Sequence, residues 1–213
     1  MGIENLALVN PGPIDWHEAK IIAVHAVDVL NQVKIYSNVE EAVANCSLAA
    51  AITRREGKKR KYRVWTAAHL GRRLAKHHYG RVAIVFGNEK NGLSDVEIAA
   101  CQVSVQIPSS PRFASLNLSH AVQIIAYEAY QNGALEHSNS QCQSQVTIKR
   151  LRRTTALLTD SLRKVGFFSK HGELSIQHFL TDIFVRADLI DRELDRLERL
   201  VHNIRGLILS NKR

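Results

Sequence analysis

The sequence predicts an α/β fold in which a parallel sheet is followed by a small helical domain. Short apolar runs such as Val82–Phe86 are typical of parallel strands covered on both faces, and loops and helical patterns follow them. From residue 146 onward, apolar residues recur at helical spacing instead. With 213 residues, 45% of them hydrophobic, the chain is long enough for one such domain and an appendage.

The N-terminal part alternates between strand and helix patterns. Strands are predicted at residues 3–9, 33–36 and 47–52, the first and third of them buried, and helices at residues 17–30 and 39–44. Asn38 and Glu41 have the spacing of a capping box, which favours a helix start at Val39. Small and aliphatic residues between Trp65 and His77 predict a further helix there.

The segment from Val82 to Tyr130 has the features of a ligand site. Its first strand runs directly into Gly87–Gly92, a loop whose two glycines allow positive φ and a close backbone approach. Ser94 then caps a helix, a strand covers 103–107, and Ser115-Leu116-Asn117 opens the next helix. Because ligands bind at the carboxyl ends of strands in open α/β sheets, we expect these loops to line one crevice.

The C-terminal part is predicted to be a helical domain joined by a linker. Residues 132–145 are rich in Ser, Gln and Asn, which is typical of a linker, and a helix from Ile148 should stop at Gly166. A short a/d seam follows, with spacings of four and three: Ile190, Leu194, Leu197, Val201, Ile204 and Ile208. The seam suits packing within one small bundle or across a dimer. The predicted division is therefore 1–131, 132–145 and 146–213.

Positive charge is concentrated in one segment. The net charge is +9, and residues 54–81 contain eleven Lys or Arg but a single acid, Glu56. A patch confined in this way indicates a polyanionic partner, although a solvated basic loop is the alternative. The residues expected to contact nucleic acid are Arg54, Arg55, Lys58, Lys59, Arg60 and Lys61.

Several classes of protein do not fit the sequence. No apolar run approaches the roughly 20 residues of a membrane span, and the first residues lack a secretory layout. Three widely spaced cysteines suggest reduced thiols in a cytoplasmic protein, and His77-His78 has no third ligand at useful spacing, so we expect no metal. A dinucleotide-binding oxidoreductase is disfavoured because the Gly-x-Gly-x-x-Gly pattern is missing.

Three motifs in a fixed order carry a resemblance to a known family. Val-Phe-Gly-Asn-Glu, two further residues and Gly-Leu-Ser at 85–94, Ile-Pro at 107–108 and Ser-Leu-Asn-Leu at 115–118 resemble the second and third motifs of SpoU/TrmH-type RNA ribose 2'-O-methyltransferases. These enzymes belong to the SPOUT superfamily. Leu-Ala-Leu-Val-Asn-Pro at 6–11 and the helical tail are similar to the TrmJ-like branch.

The resemblance implies a fold and an activity. The expected fold is the SPOUT fold, a parallel sheet that ends in a C-terminal trefoil knot. The expected reaction is S-adenosyl-L-methionine-dependent 2'-O-methylation of a cytidine or uridine ribose in the tRNA anticodon loop, by a homodimer. Such a site must hold the methyl donor and the hydroxyl in line and help to remove a weakly acidic proton.

The resemblance also assigns roles to individual residues. The residues that it places around the cofactor are Thr53, Gly87, Ile107, Ser115 and Leu116. The residues that it places in the catalytic centre and the ribose pocket are Asn88, Glu89, Ser115 and Asn117.

The resemblance begins in the middle of the family pattern. In the family, a first strand and helix precede the stretch matched by residues 1–11, and that helix carries an Asn and the Arg that activates the 2'-hydroxyl. Two explanations stay open: Met1 is an internal methionine of a longer reading frame, or the gene is a truncated remnant. The alternative function is therefore a catalytically inactive RNA-binding remnant of the same family, which turnover would distinguish from the enzyme.

Overall fold

A computed structural model of the chain describes residues 1–54, 64–76, 80–110, 112, 116–133, 146–168 and 172–210. The described residues fall into two compact units. The first is drawn from Met1–Ala44, Ala49–His78 and Ala83–Ser140, and the second from Asn45–Leu48, Tyr79–Val82 and Gln141–Arg213. The division into 1–131, 132–145 and 146–213 stays a prediction.

The described strands form two sheets. Strands β1 (Ala7–Val9) and β2 (Lys34–Tyr36) make a parallel pair. The other strands are β3 (Leu48–Ile52), β4 (Val64–Thr66), β5 (Val82–Phe86) and β6 (Val103–Gln106), arranged in the order β4-β6-β3-β5. Strand β6 runs parallel to both β3 and β4. The predicted parallel α/β sheet is confirmed, whereas the knot stays a prediction.

Short helices connect the strands of these sheets. They are α1 (Trp16–Ala23), a 3-10 turn (Val24–Ala26), α2 (Val27–Asn31), α3 (Val39–Val43), α4 (Ala67–Lys76), α5 (Asp95–Ala100) and α6 (Leu118–Gln131). Four of them have an N-cap residue whose side chain accepts hydrogen bonds from backbone N–H groups of the first turn. These N-cap residues are Asp15, Asn38, Ser94 and Asn117. The predicted capping box of Ser94 and Glu97 is confirmed, with the Glu97 carboxylate 2.7 Å from the Ser94 amide nitrogen.

Two helix predictions need correction. The predicted helix 17–30 is interrupted by the 3-10 turn, where Val24 has a φ of 49°. β-Branched residues are poor helix formers, and the predicted helix contains several of them around this point. The helix predicted from Trp65 begins only at Ala67, because residues 64–66 favour an extended chain and pair with β6 as β4.

Burial differs sharply between the strands. The first four residues of β3 are at most 1% exposed, so the prediction of a buried strand at 47–52 is confirmed. All five residues of β5 are half-buried instead of covered on both faces. Strand β5 is last in the sheet order of the described strands, so its outer edge lacks a covering strand. The predicted buried strand 3–9 is likewise shorter, and Leu6 beside it is 40% exposed.

The second unit is built mainly from helices α7 (Ile148–Lys164), α8 (Glu173–Ala187) and α9 (Asp191–Ser210). Its core contains Val146, Leu151, Phe184 and Leu194. Leu194 is 0% exposed, so this position of the predicted a/d seam packs within the unit. Helix α7 ends before Gly166, whose φ of 75° confirms the predicted stop.

One arginine connects α7 to the acidic residues of α9. The Arg150 guanidinium forms ion pairs with Asp191 and Asp195, and its Nη2 lies 3.8 Å from the Glu198 carboxylate. The Thr154 hydroxyl, in a residue that is 0% exposed, donates to the same Glu198 side chain. Burial opposes the charge, but the hydrogen bonds and charges of Asp195 and Asp191 raise the pKa of Arg150 above its ordinary value.

The packing of α4 against α6 allows a test with two helical glycines. A Cβ atom at Gly71 would lie 2.5 Å from the Glu128 carbonyl oxygen, whereas a Cβ atom at Gly206 would meet nothing within 4 Å. Gly71→Ala should therefore lower the free energy of unfolding by about 1–3 kcal/mol. Gly206→Ala should raise it by up to about 1 kcal/mol, since Ala favours a helix. Urea unfolding followed by circular dichroism measures both. Equal effects of the two substitutions would contradict the close packing.

Candidate active site

The loop after β5 closes on itself. The Gly92 amide donates to the Asn88 carbonyl oxygen at 2.9 Å, and these two residues form an isolated antiparallel bridge. The Asn91 amide donates to Asn88 Oδ1 at 2.7 Å. Gly92 has a φ of 66°, in the left-handed region that favours glycine. The loop is therefore held by its own main chain and by the Asn88 side chain.

Gly87 cannot be replaced without opening this loop. A Cβ atom at Gly87 would lie 2.1 Å from the Gly92 carbonyl carbon and 2.3 Å from the Leu93 nitrogen, and neither backbone atom can move independently of the loop. Leu93 is only 3% exposed, so its packing holds the far end of the loop in place. The family resemblance predicts Gly87 to be a cofactor-binding residue. The geometry gives a steric reason why this position requires glycine.

Three strands bring their carboxyl ends to one edge of the sheet. Strand β6 runs parallel to β3. The Ser47 amide donates to the Arg81 carbonyl oxygen at 2.8 Å, which joins the residues just before β3 and β5. Because their starts are adjacent and each strand has five residues, β3 and β5 run in the same direction and end together. Thr53 and Gly87 therefore follow neighbouring strand ends.

Hydrogen bonds also join the ends of β3 and β6. The Thr53 amide donates to the Val105 carbonyl oxygen at 3.0 Å. The Gln106 side-chain amide donates to the Arg54 carbonyl oxygen at 3.2 Å. These bonds fix the first residues of the loop after β3 beside those that lead to Ile107. Sequence reasoning missed Gln106, although a polar residue at the last position of an apolar strand is a usable signal.

Asn117 and Leu116 lie at the start of α6. Asn117 Oδ1 accepts from the Ser119 amide at 3.1 Å and from the Ser119 hydroxyl at 2.9 Å, so this oxygen caps the helix. Leu116 is 37% exposed. The loop that leaves Ile107 leads to these residues along the chain.

Apart from Leu116 and Asn117 at the start of α6, the predicted site residues fall into three groups. Thr53, Gly87 and Ile107 follow the ends of β3, β5 and β6 at one edge of the sheet. Asn88 and Glu89 are exposed on the closed loop, and Arg54 is exposed directly after Thr53. The remaining predicted residues lie outside the described part of the chain: Arg55, Lys58, Lys59, Arg60, Lys61 and Ser115.

The described residues form neither a cluster of metal ligands nor a helix that could cross a membrane. Among them, no three His, Cys, Asp or Glu side chains are grouped so that they could hold a metal ion. No helix in the described part of the chain is both long and apolar enough to cross a membrane.

Known proteins share both the sequence pattern and the architecture. The sequence profile of the SpoU rRNA Methylase family matches residues 1–127. The tRNA (cytidine/uridine-2'-O-)-methyltransferase TrmJ of Escherichia coli K12 is 30% identical over 218 aligned residues, which cover 100% of this chain and 88% of the relative. TrmJ of Shigella flexneri matches to the same extent. The crystal structure of TrmJ from Z. mobilis ZM4 superposes with a TM-score of 0.71 and 27% identity, over 95% of this chain and 88% of that one.

A glycine-closed loop lies at the carboxyl edge of the parallel α/β sheet, which is where ligands bind in open α/β sheets. The chain belongs to the SpoU rRNA Methylase family. The predicted membership of a SpoU/TrmJ-type methyltransferase family is thereby confirmed.

The closed loop predicts different responses to substitution of its two glycines. Gly87→Ala should open the loop, because its Cβ atom would overlap backbone atoms of Gly92 and Leu93. Gly92→Ala should keep the loop closed at a cost of about 1–2 kcal/mol, because only the positive φ is strained and its Cβ atom meets nothing within 4 Å. Amide exchange measured by NMR should lose protection at Asn91 and at residue 92 only in the first variant. Retained protection in Gly87→Ala would refute the steric argument.

Proposed function

We propose that this chain is an S-adenosyl-L-methionine-dependent tRNA methyltransferase that modifies the ribose 2'-hydroxyl of a cytidine or uridine in the anticodon loop. The observation that carries this proposal is the closed Gly87–Gly92 loop, located beside Thr53 at the carboxyl edge of the sheet. Relatives named tRNA (cytidine/uridine-2'-O-)-methyltransferase align with the whole chain. We propose that it acts in the cytoplasm.

The residues at this edge suit the cofactor. The adenosine part of S-adenosyl-L-methionine is uncharged, so main-chain N–H and C=O groups can bind it without a charged partner. Thr53, Gly87 and Ile107 follow neighbouring strand ends, where ligands bind in open α/β sheets, and Leu116 provides an exposed apolar contact at the start of α6. The bound cofactor supplies an electrophilic methyl group. Ser115 completes the proposed set.

Orientation is the main task left to the side chains. Asn88 shapes the loop through its hydrogen bond to Asn91, so we assign it a positioning role. Glu89 is exposed on the same loop, where its carboxylate favours the positive sulfonium and can orient the ribose. Asn117 and Ser115 provide short polar groups for the ribose pocket. Holding donor and acceptor in line lowers the barrier by several kcal/mol.

The RNA partner is supported by charge. Arg54 is exposed next to Thr53 and begins the basic segment with eleven Lys or Arg between residues 54 and 81. Phosphate groups are the natural partners of such a segment. We therefore propose that Arg54, Arg55 and residues 58–61 contact the tRNA backbone and hold the target ribose near the loop edge.

A homodimer is supported by the outward side of α6. This helix contains a single charged residue, Glu128. Val122, Tyr127 and Tyr130 are 40%, 49% and 57% exposed, although large apolar and aromatic side chains gain free energy when they are buried. Few charges and exposed tyrosines are the composition of a protein–protein contact. We propose that α6 pairs with a second copy of the chain.

Transfer of labelled methyl from S-adenosyl-L-methionine to unmodified tRNA tests the proposed reaction. Wild-type protein should label a ribose in the anticodon loop, detected as an alkali-resistant dinucleotide. Asn117→Ala should reduce transfer at least tenfold, but it also removes the cap of α6, which is worth about 1 kcal/mol. Asn117→Asp is the matched control, because its carboxylate keeps the capping oxygen while it removes the amide donor and adds one negative charge at the helix N-terminus.

Both Asn117 variants should lose transfer if the residue acts in the site. Full activity of Asn117→Asp would limit its role to capping. A wild-type protein that binds tRNA but transfers no methyl group would overturn the enzyme and favour the alternative, an inactive RNA-binding remnant.

The basic segment predicts a steep dependence of RNA affinity on salt. Neutralising Lys58, Lys59, Arg60 and Lys61 with Gln should weaken tRNA binding and flatten the slope of log K against log salt by roughly three to four. The matched control neutralises four exposed cations elsewhere, namely Lys20, Lys34, Lys149 and Arg153, and keeps the same net charge. Filter binding between 50 and 200 mM salt gives the slopes. Equal slopes for the two variants would rule out a specific role of the segment.

A further inference from the structure

A second concave surface lies at the carboxyl ends of β1 and β2. Because β1 and β2 are parallel with Val9 opposite Tyr36, the residues after them, Asn10 and Ser37, lie at one edge. The cleft there has a volume of about 560 Å³, within the range typical of ligand sites. We call it the Trp16 cleft. The lining residues used below are Asn10, Ile14, Trp16, Ile35, Tyr36 and Ser37.

The walls of the Trp16 cleft are held by backbone hydrogen bonds. The Asn10 amide donates to the Tyr36 carbonyl oxygen at 2.9 Å, and Asn10 has a φ of 43° that turns the chain away from β1. The Asp15 carboxylate accepts from the amides of His17 and Glu18, which sets the start of α1 at Trp16. The indole is thus attached to a fixed helix end.

The chemistry of the lining selects for an uncharged planar group. Trp16 is 38% exposed and Ile35 is 57% exposed, although both could gain free energy by burial. Among the described residues, no Lys, Arg, Asp or Glu lines the cleft. A charged ligand would lose its hydration there without a compensating charge, whereas a flat ring could stack on the indole.

Polar groups at the rim favour a heterocycle over an aliphatic side chain. The Ser37 hydroxyl donates to Glu41 at 2.6 Å and accepts from the Asn38 side chain at 3.1 Å, which fixes its oxygen at the rim. Hydrogen bonds of Glu41 with the Ser37 side chain and, to a smaller extent, with the Asn38 side chain hold the pKa of Glu41 below its ordinary value. The Asn10 side chain can both donate and accept. A nucleobase has a planar face and an edge with donors and acceptors, which matches this combination.

We propose that the Trp16 cleft binds an unpaired nucleobase of the RNA substrate, stacked on the Trp16 indole with its polar edge toward Asn10 and Ser37. The inference rests on the proposed function, which makes RNA the substrate. Unpaired bases that stack on aromatic side chains are the usual means by which proteins recognise single-stranded RNA. The contact adds affinity that, unlike that of the basic segment, does not depend on phosphate charge.

Fluorescence and binding measurements test this assignment. The chain has two tryptophans, and Trp65 is 8% exposed, so quenching by tRNA should come from Trp16 and disappear in Trp16→Phe. Trp16→Ala should weaken tRNA binding about tenfold with an unchanged salt slope, and Trp16→Phe should weaken it by less than about threefold, because Phe still stacks. Ile22→Ala is the control: Ile22 is 71% exposed on the same helix and does not line the cleft. Circular dichroism confirms folding.

The outcomes separate this inference from the proposed function. Wild-type affinity and quenching in Trp16→Ala, with normal methyl transfer, would overturn the cleft assignment alone. Failure of wild-type protein to bind tRNA would overturn the proposed function and this inference with it, whereas tRNA binding without methyl transfer would overturn the proposed enzyme alone. Quenching of Trp16 by S-adenosyl-L-methionine in the absence of RNA would show that the cleft takes the adenine of the cofactor, and would also overturn the RNA assignment.

Discussion

Closure of the Gly87–Gly92 loop, with no room for a Cβ atom at Gly87, is the constraint on which the site depends. The loop can close only because glycine follows β5, and closure places its main chain directly beyond the strand end. The neighbouring strand β3 ends at the same edge, where the Thr53 amide donates a hydrogen bond to the Val105 carbonyl oxygen of β6. A change at one of these three strand ends therefore affects the geometry of the others. The geometry of the candidate site therefore depends on how the strand ends meet at the sheet edge more than on any single side chain.

Much of the fold could be predicted from local patterns. The capping box at Ser94, the stop at Gly166 and the buried strand β3 depend on neighbouring residues and on apolar periodicity, which the sequence displays directly. Strand β4 could not be predicted in this way. Trp65 is compatible with a helix or a strand. It lies in a strand because β4 pairs with β6 at Val105, forty positions further along the chain. The half-exposed state of β5 also depends on sheet order, which a single strand cannot reveal.

The candidate site could be predicted only in part. Motif resemblance identified Thr53, Gly87 and Ile107, and they follow adjacent strand ends. The resemblance could not reveal that Asn88 and Asn117 use their side-chain oxygens in local hydrogen bonds, because such geometry appears only in three dimensions. Gln106 and the Trp16 cleft were missed for a related reason. Each depends on residues that are distant in sequence and are brought together by parallel pairing of β3 with β6 and of β1 with β2.

Amide hydrogen exchange with and without S-adenosyl-L-homocysteine tests most directly whether the sheet edge binds the cofactor. The measurement does not depend on turnover, so it separates cofactor binding from catalysis. Added ligand should slow exchange in three peptides, those that contain Thr53–Arg54, Gly87–Gly92 and the residues around Ile107. Protection confined to other segments, or no protection at saturating ligand, would contradict the assignment of this edge as the cofactor site.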